Sequence, residues 1–556
     1  MLLVVGWDGA SLELANRFRA DGRMPVLDSL IARGRTWRVS STIPAVTFPA
    51  WTSFLTGAMP DRHGVTDFTI PRDGTYGFRF ANASDRRMPT VLARMAAAGR
   101  RVGMYGVPAT FPPEGQAVFE ICGFDTPLGS SRTRRATHPP ALADEIRARH
   151  GRLGIEGIPQ GRIDGDWHRD THQRLLGDIR LRTRIALELL AASALDVFVV
   201  HYMESDTVSH HFWHFDDAAS PRHAAGPREA IGDVYAALDD ALGELVRAAG
   251  PDANVLVLSD HGSAGASDRI VFWNRWLADC GLLAFRDGGG ESLAARVKRT
   301  ALAVIPRSLH ARAFAAAGTI ADRIESRARF ANVDWSKTEV YSDELPYFPS
   351  LRLNLEGREP GGIVAPSDAE RILERVTREL LDARDPIDGG PVTVKVRRRE
   401  ELFDGPFASR YPDLVLELRR PGSYAYAAGP SRGGIEREWL RRMRGSEASG
   451  AKGTSTSGVH SPYGMAVLAG PGTPAADSPH AAAVAAECTL ADLGVTVCAL
   501  AGVEPSAEMQ GRSLVSTKAL EPVVSDAMPG LPGLFEYDDE QEHEVRERLR
   551  ALGYLS

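Results

Sequence analysis

Asp8, Thr47, Asp206, His210, Asp260, His261 and His460 are scattered along the chain, yet most sit just beyond a short apolar run. Asp8 follows LLVVG, Asp206 and His210 follow DVFVVHYMES, and Asp260-His261 follows NVLVLS. His460 comes just before GMAVLAG. Carboxylate and imidazole groups bind Zn²⁺, and carboxylate-rich sets suit Mn²⁺. In open α/β sheets, ligands bind outside the carboxyl ends of parallel strands. Repeated placement of such side chains at strand ends predicts one site with two divalent metal ions. Two metals a few ångströms apart suit phosphoryl transfer: one activates a nucleophile and the other neutralises charge on substrate oxygens.

The local spacing fits that chemistry. Asp206 and His210 are four residues apart, so a helical turn puts both on one face. Asp260 and His261 are adjacent, so both reach a metal only where regular structure has ended, and Gly262 after them suits such an end. Thr47 is the candidate nucleophile. Its hydroxyl is too weak an acid to ionise alone, but a metal and a helix N-terminus both favour the alkoxide. Pro49 fits the first turn of that helix.

The elements that must hold these residues alternate in type. Strand 2–6 precedes a helix near 24–33, and a loop leads to Thr47. Helix 48–56 ends at Gly57, helix 89–98 leads into RVGMYGV, helix 170–193 into strand 196–202, and helix 222–249 into strand 254–259. This alternation predicts an α/β fold with a mostly parallel central sheet and helices on both faces. Residues 110–170, rich in Pro, Gly and Arg, read as loops and a substrate-side insertion. Residues 285–337 read as a helical insertion or cap with a solvated basic face, the alternative being a membrane-surface helix. Strands TEVYS, SLRLNL, VTVKVRR and DLVLELR with helix 367–382 make 338–428 a smaller α+β unit. Residues 429–458, dense in Gly, Ser and Arg, read as a mobile loop. The core is expected at 1–284 and 429–520, resuming through GMAVLAG and a helix near 489–501, with a helical tail within 521–556.

Composition narrows the class. At 556 residues the chain exceeds one simple core, which implies a large domain with insertions or two domains. Hydrophobic residues at 43% and charged residues at 25% are those of a globular protein, and a net charge of −7 argues against nucleic-acid binding. No uninterrupted apolar stretch is long enough to span a membrane. MLLVVG lacks a basic flank and reads as a core strand rather than a signal peptide, so the expected location is cytoplasmic. Cys122, Cys280, Cys488 and Cys498 lack CxxC spacing and read as reduced core thiols. Oligomeric state is not legible.

The stretch STIPAVTFPAWTSFLTGAMPDRHGV resembles the nucleophile region of the type I phosphodiesterase/nucleotide pyrophosphatase family, within the alkaline phosphatase superfamily. VVGWDGAS, ESDTVSHHFW, SDHGS and GVHSPYG match other pieces of that family in order, from residue 1 to about 515. The resemblance implies an alkaline-phosphatase-like fold and a metal-dependent phosphohydrolase acting on a small phosphodiester or phosphomonoester. It also implies the ligand sets: Asp8, Thr47, Asp260 and His261 on the metal beside the nucleophile, and Asp206, His210 and His460 on the other. Zn²⁺ is the expected metal, with Mn²⁺ the alternative. A phosphothreonine on Thr47 would form and then be hydrolysed. One position departs from the family: HGVTDF has Phe68 where an Asn is usual. With the terminal LRALGYLS, this brings the chain closer to the phosphohydrolase/phosphomutase-like branch.

Other readings stay open. Asp8 and Thr47 would also serve as turn or cap residues, and Asp260-His261-Gly262 as a turn. His201, His211 and His214 neighbour His210, and the family's spacing selects His210 among them. A phosphomutase with a water-excluding cap, or a metal-binding scaffold without turnover, would use the same residues.

Overall fold

The computed structural model describes residues 1–72, 74–128, 133–158, 165–286, 330, 332–431, 436–448, 456–474, 487–515 and 533–552. A nine-stranded sheet runs in the order Glu487–Thr489, Arg35–Ser40, Tyr463–Ala469, Asn254–Leu258, Leu2–Trp7, Val197–Tyr202, Val102–Val107, Phe119–Cys122 and Thr137–His138. From Asn254–Leu258 to Phe119–Cys122 every neighbour is parallel. Tyr463–Ala469 runs antiparallel to Asn254–Leu258, and Thr137–His138 antiparallel to Phe119–Cys122.

The central strands are mostly apolar because both faces are covered. Leu3, Val5 and Trp7 join one core with Phe198, Val200 and residues of helices Leu12–Ala20, Gly165–Ala192 and Ala230–Ala249. Leu2 and Val4 turn the other way, onto Ala50, Trp51, Phe54 and Leu55 of helix Thr47–Thr56 and onto helix Leu490–Leu500. The alternation has the period of two that a strand imposes. Burying these runs on both faces supplies the main hydrophobic stabilisation, at about 1.5–3 kcal/mol per fully buried large side chain.

A second, antiparallel sheet orders Val340–Tyr341, Ser350–Leu353, Leu414–Leu418 and Thr393–Arg398. Helix Ala369–Asp382 covers it through Ile372, Val376 and Leu380. Trp273, Trp276 and Leu277 of helix Trp273–Asp279 share this core, so these aromatics pack the helix.

Several expectations are corrected. Residues 110–170 are not all loop: Phe119–Cys122 and Thr137–His138 extend the main sheet, and Ala141–His150 is a helix. Four- and two-residue strands between Pro- and Gly-rich stretches are too short to show a period. The segment before Thr47, read as a loop, contains strand Arg35–Ser40. Its polar residues Thr36, Arg38 and Ser40 alternate with the buried Trp37 and Val39, because one of its faces is only half covered. The helix expected from 222 begins at Ala230, after Pro227. Within 429–458, Leu440–Arg442 is a strand paired with the long strand Gly262–Val271, which the sequence did not suggest. Most of the helical insertion expected at 285–337 (287–329 and 331) lies outside the described residues, as do 432–435 and 449–455 of the expected mobile loop. Among the described residues, no helix is long and apolar enough to cross a membrane.

Candidate metal centre

Asp8 leaves the end of strand Leu2–Trp7, and its backbone N–H continues the sheet by donating to Tyr202 O at 2.9 Å. Asp206 and His210 lie in helix Glu204–Asp216, which starts just beyond Val197–Tyr202. Asp260 and His261 follow Asn254–Leu258. These three adjacent parallel strands therefore deliver the candidate ligands at one end of the sheet. His460 arrives differently. It sits on strand Gly458–Ser461, opposite Ser263 of Gly262–Val271, so the ribbon that begins beside His261 also sets His460. Thr47 is the first residue of helix Thr47–Thr56, buried, with its side chain hydrogen-bonded to Asp8.

The candidate ligand atoms converge. Asp206 Oδ1 is 3.3 Å from His210 Nε2 and 3.5 Å from His460 Nε2, and the two Nε2 atoms are 3.1 Å apart. Asp8, Asp260 and His261 offer ligand atoms within 4.8 Å of one another, and so do Asp206, His261 and His460. His261 thus stands between the two groups, with its ring stacked on His460 at 3.7 Å. Sequence spacing alone gives no hint of this shared position.

Each of the three histidines is anchored by its other nitrogen. His210 Nδ1 lies 2.8 Å from Gly458 O, His460 Nδ1 2.7 Å from Ala45 O, and His261 Nδ1 3.0 Å from Gly262 O. A carbonyl only accepts, so each Nδ1 carries a proton and each Nε2 faces inward, where the neutral ring presents a lone pair. Two lone pairs 3.1 Å apart repel unless a cation or a proton lies between them. Asp8 Oδ1, Asp260 Oδ2 and His261 Nε2 are buried with no hydrogen-bond partner among the described residues. Each such buried polar atom costs about 1–3 kcal/mol, and more when charged. Divalent cations among these atoms would satisfy all of them, so the residues fit a metal centre.

The titration behaviour follows from the same crowding. Burial, with the Asp206 carboxylate nearby, pushes Asp8 well above the usual carboxylate range. Burial and the Asp8 charge do the same to Asp260. Burial also acts to raise Asp206, but the charge and hydrogen bond of His210, with His460 and His261, bring it below the usual range. Burial and His261 hold His460 well below the usual imidazole value.

Gly9 stitches the groups together. Its N–H donates to Asp260 Oδ1 at 3.1 Å, its φ is +63°, and a Cβ there would lie 2.6 Å from Asp206 Oδ1. Ser205 Oγ adds a hydrogen bond to Asp8 O at 2.6 Å. We expect Gly9→Ala to cost about 1–2 kcal/mol from its left-handed backbone alone. The clash adds displacement of Asp206. The expected readouts are a lower melting temperature and weakened metal binding, checked by thermal melts with and without added Zn²⁺. Wild-type values in both would contradict the close approach.

Other residues beside the motifs have structural duties. His63 Nε2 lies 3.0 Å from Ser53 Oγ and its Nδ1 accepts from Val65 N, while burial and Arg86 pull its pKa down to about 3. Asp61 accepts from the backbone N–H groups of Asp404 and Gly405, tying the turn after helix Thr47–Thr56 to the smaller unit. Phe68 is fully buried, edge-on to Phe48 at 4.7 Å and to Tyr347 at 5.7 Å. The polar pair beside it is the Tyr347 hydroxyl, which donates to Asp67 Oδ1 at 2.9 Å. Sequence reasoning missed Trp51, whose indole N–H donates to Asp8 Oδ2 at 3.2 Å, although its place one turn after Thr47 was a usable signal. His201, read only as a neighbour of His210, has Nε2 2.9 Å from the same oxygen.

A model of the family described as Type I phosphodiesterase / nucleotide pyrophosphatase matches residues 2–447. The chain belongs to that family. It is accordingly a hydrolase of phosphoric ester bonds. Every candidate ligand except His460 falls inside the matched segment. Among solved structures, phosphonoacetate hydrolase from Sinorhizobium meliloti 1021 in complex with phosphonoformate is similar, at 17% identity and a TM-score of 0.51 over 90% of this chain and 95% of that one. Its complex with phosphonoacetate gives 16% identity and the same TM-score and coverage. Human ectonucleotide pyrophosphatase / phosphodiesterase 5 aligns at 11% identity with a TM-score of 0.45, over 93% of this chain and all of that one. The likeness to the hydrolase establishes the alkaline-phosphatase-like fold.

Proposed function

We propose that this chain is a dimetal phosphohydrolase that cleaves a small phosphodiester or phosphomonoester through a phosphothreonine on Thr47. The observation that carries the reading is the convergence of three Nδ1-anchored histidines with Asp8, Asp206 and Asp260 next to the buried Thr47. Asp8, Thr47, Asp260 and His261 would hold one ion, and Asp206, His210 and His460 the other. Three imidazole and three carboxylate ligands favour Zn²⁺ over Mn²⁺. When bound, the ions lower the pKa of a hydroxyl and offset negative charge on the phosphoryl oxygens.

The chain's own residues do the rest. Thr47 Oγ1 attacks phosphorus as the bond to the leaving-group oxygen breaks, and that oxygen departs with the electron pair and takes up a proton. Water then attacks the phosphothreonine, and Thr47 Oγ1 leaves and regains its proton. Asp8 holds the Thr47 hydroxyl by hydrogen bonding, and the N-terminus of helix Thr47–Thr56 favours negative charge at that position. Burial of Thr47 limits water access during the first step. A cytoplasmic location belongs to the same reading, supported by four unpaired cysteines.

The test compares bis-p-nitrophenyl phosphate with p-nitrophenyl phosphate, with Zn²⁺ or Mn²⁺ supplied. We expect Thr47-dependent turnover of at least one ester. Preference for the diester would make the enzyme a phosphodiesterase despite Phe68, and preference for the monoester a phosphatase. Turnover of both esters that survives in Thr47→Ala would overturn the reading.

A further inference from the structure

We infer that His201 and Trp51 are positioning residues that clamp one oxygen of Asp8, so that only its other oxygen reaches the ion beside Thr47. The inference rests on the dimetal reading above. Trp51 Nε1–H can only donate, and it donates to Asp8 Oδ2 at 3.2 Å. His201 Nε2 lies 2.9 Å from that same oxygen. An ionised Asp8 can only accept, which assigns the His201 proton to Nε2, and the bonds from Trp51 and His201 then occupy lone pairs of Oδ2 that a chelating carboxylate would offer. Oδ1 is left facing the centre, 3.6 Å from His261 Nε2.

The clamp is built in from three elements. Trp51 lies one turn after Thr47 on the same helix, so the turn that presents the nucleophile also presents the indole. His201 sits on strand Val197–Tyr202, directly opposite Gly6 in the parallel register. Its ring stands edge-on to Trp51, with centroids 4.7 Å apart and planes at 85°, so each ring limits the other's rotation. Gly6 makes room for the indole: a Cβ there would clash with Trp51 Cη2. Arg182 fastens the end of the strand, donating from Nη1 to His201 O at 3.2 Å and to Glu204 Oε2 at 2.8 Å. Asp8 is thus fixed in one orientation, and a single-oxygen ligand leaves a coordination position for substrate. Outer partners of this kind typically change metal affinity by about 10–100-fold when removed.

The test uses full-length wild type, His201→Leu, His201→Gln, Trp51→Phe and Gly6→Ala. Each is stripped of metal and titrated with Zn²⁺ against a chromophoric chelator, and the metal-free proteins are melted in parallel. We expect wild type to bind two ions. His201→Leu, Trp51→Phe and Gly6→Ala are expected to lose about 10–100-fold in affinity for one ion only. The ion on Asp206, His210 and His460 should keep its affinity. His201→Gln returns an N–H donor at about the same reach and is expected to recover most of the loss. Unchanged affinity for both ions in His201→Leu and Trp51→Phe would overturn the clamp. So would equal weakening of both ions together with a lower melting temperature of the metal-free protein. Failure of the wild type to bind Zn²⁺ or Mn²⁺ would instead overturn the metal reading on which the clamp rests.

Discussion

Thr47→Ala is expected to lower kcat/KM by about 10³-fold or more, equivalent to about 4 kcal/mol of transition-state stabilisation, while the protein stays folded. The substitution removes only a hydroxyl and a methyl group from a fully buried position. The helix it begins is not capped by Thr47, since Val46 occupies the cap position and no side chain makes a cap bond there. Asp8 keeps the contacts from Trp51 and His201. The metal ligands other than Thr47 are untouched, so at least one ion should remain. Steady-state kinetics, thermal melts and metal analysis on the same preparations check each part. Activity within tenfold of wild type would remove Thr47 from the chemistry.

The second large effect is expected from chelation. Asp8, Asp206 and Asp260 are buried together, and three imidazoles point into the same space. In water these carboxylates would be hydrated, whereas in the folded chain their mutual repulsion must be offset by cations or by protonation, as the raised Asp8 and Asp260 show. A chelator should therefore abolish turnover and destabilise the fold as well. At free Zn²⁺ about 1,000 times its Kd, one bound ion contributes about 4 kcal/mol to stability by mass action. We expect a chelator to lower the melting temperature by several degrees and added Zn²⁺ to restore both stability and activity. A melt indifferent to chelator and to Zn²⁺ would contradict the proposed centre.

Much of this site was legible because the fold reuses one device. A parallel strand buried on both faces reads as an unbroken apolar run, and LLVVG, DVFVV and NVLVL each announce one. Polar residues just after such runs then mark the sheet edge where Asp8, Asp206 and Asp260 meet. The four-residue step from Asp206 to His210 was legible for the same reason, since helix geometry fixes it. What was not legible depends on long-range register. Gly9 bonds Asp260 across 251 residues, and no local pattern records that contact. His460 is set by the ribbon Gly262–Val271, a strand whose small and polar residues carry no hydrophobic period. His261 lies within reach of both candidate groups with its ring stacked on His460, a long-range arrangement that no local pattern records. Phe119–Cys122 and Arg35–Ser40 were missed because short or half-exposed strands are defined by their neighbours rather than by their own sequence.

The most direct measurement is to trap the covalent enzyme. Zn²⁺-loaded protein would be mixed with a reactive phosphate ester, quenched in acid within the first turnovers, digested and mapped by mass spectrometry. The expected result is a phosphate on Thr47, within the peptide that includes Phe48 and Trp51, absent from Thr47→Ala treated in the same way. Phosphate on another residue, or steady turnover with no phosphorylated threonine under conditions that slow the second step, would contradict the account.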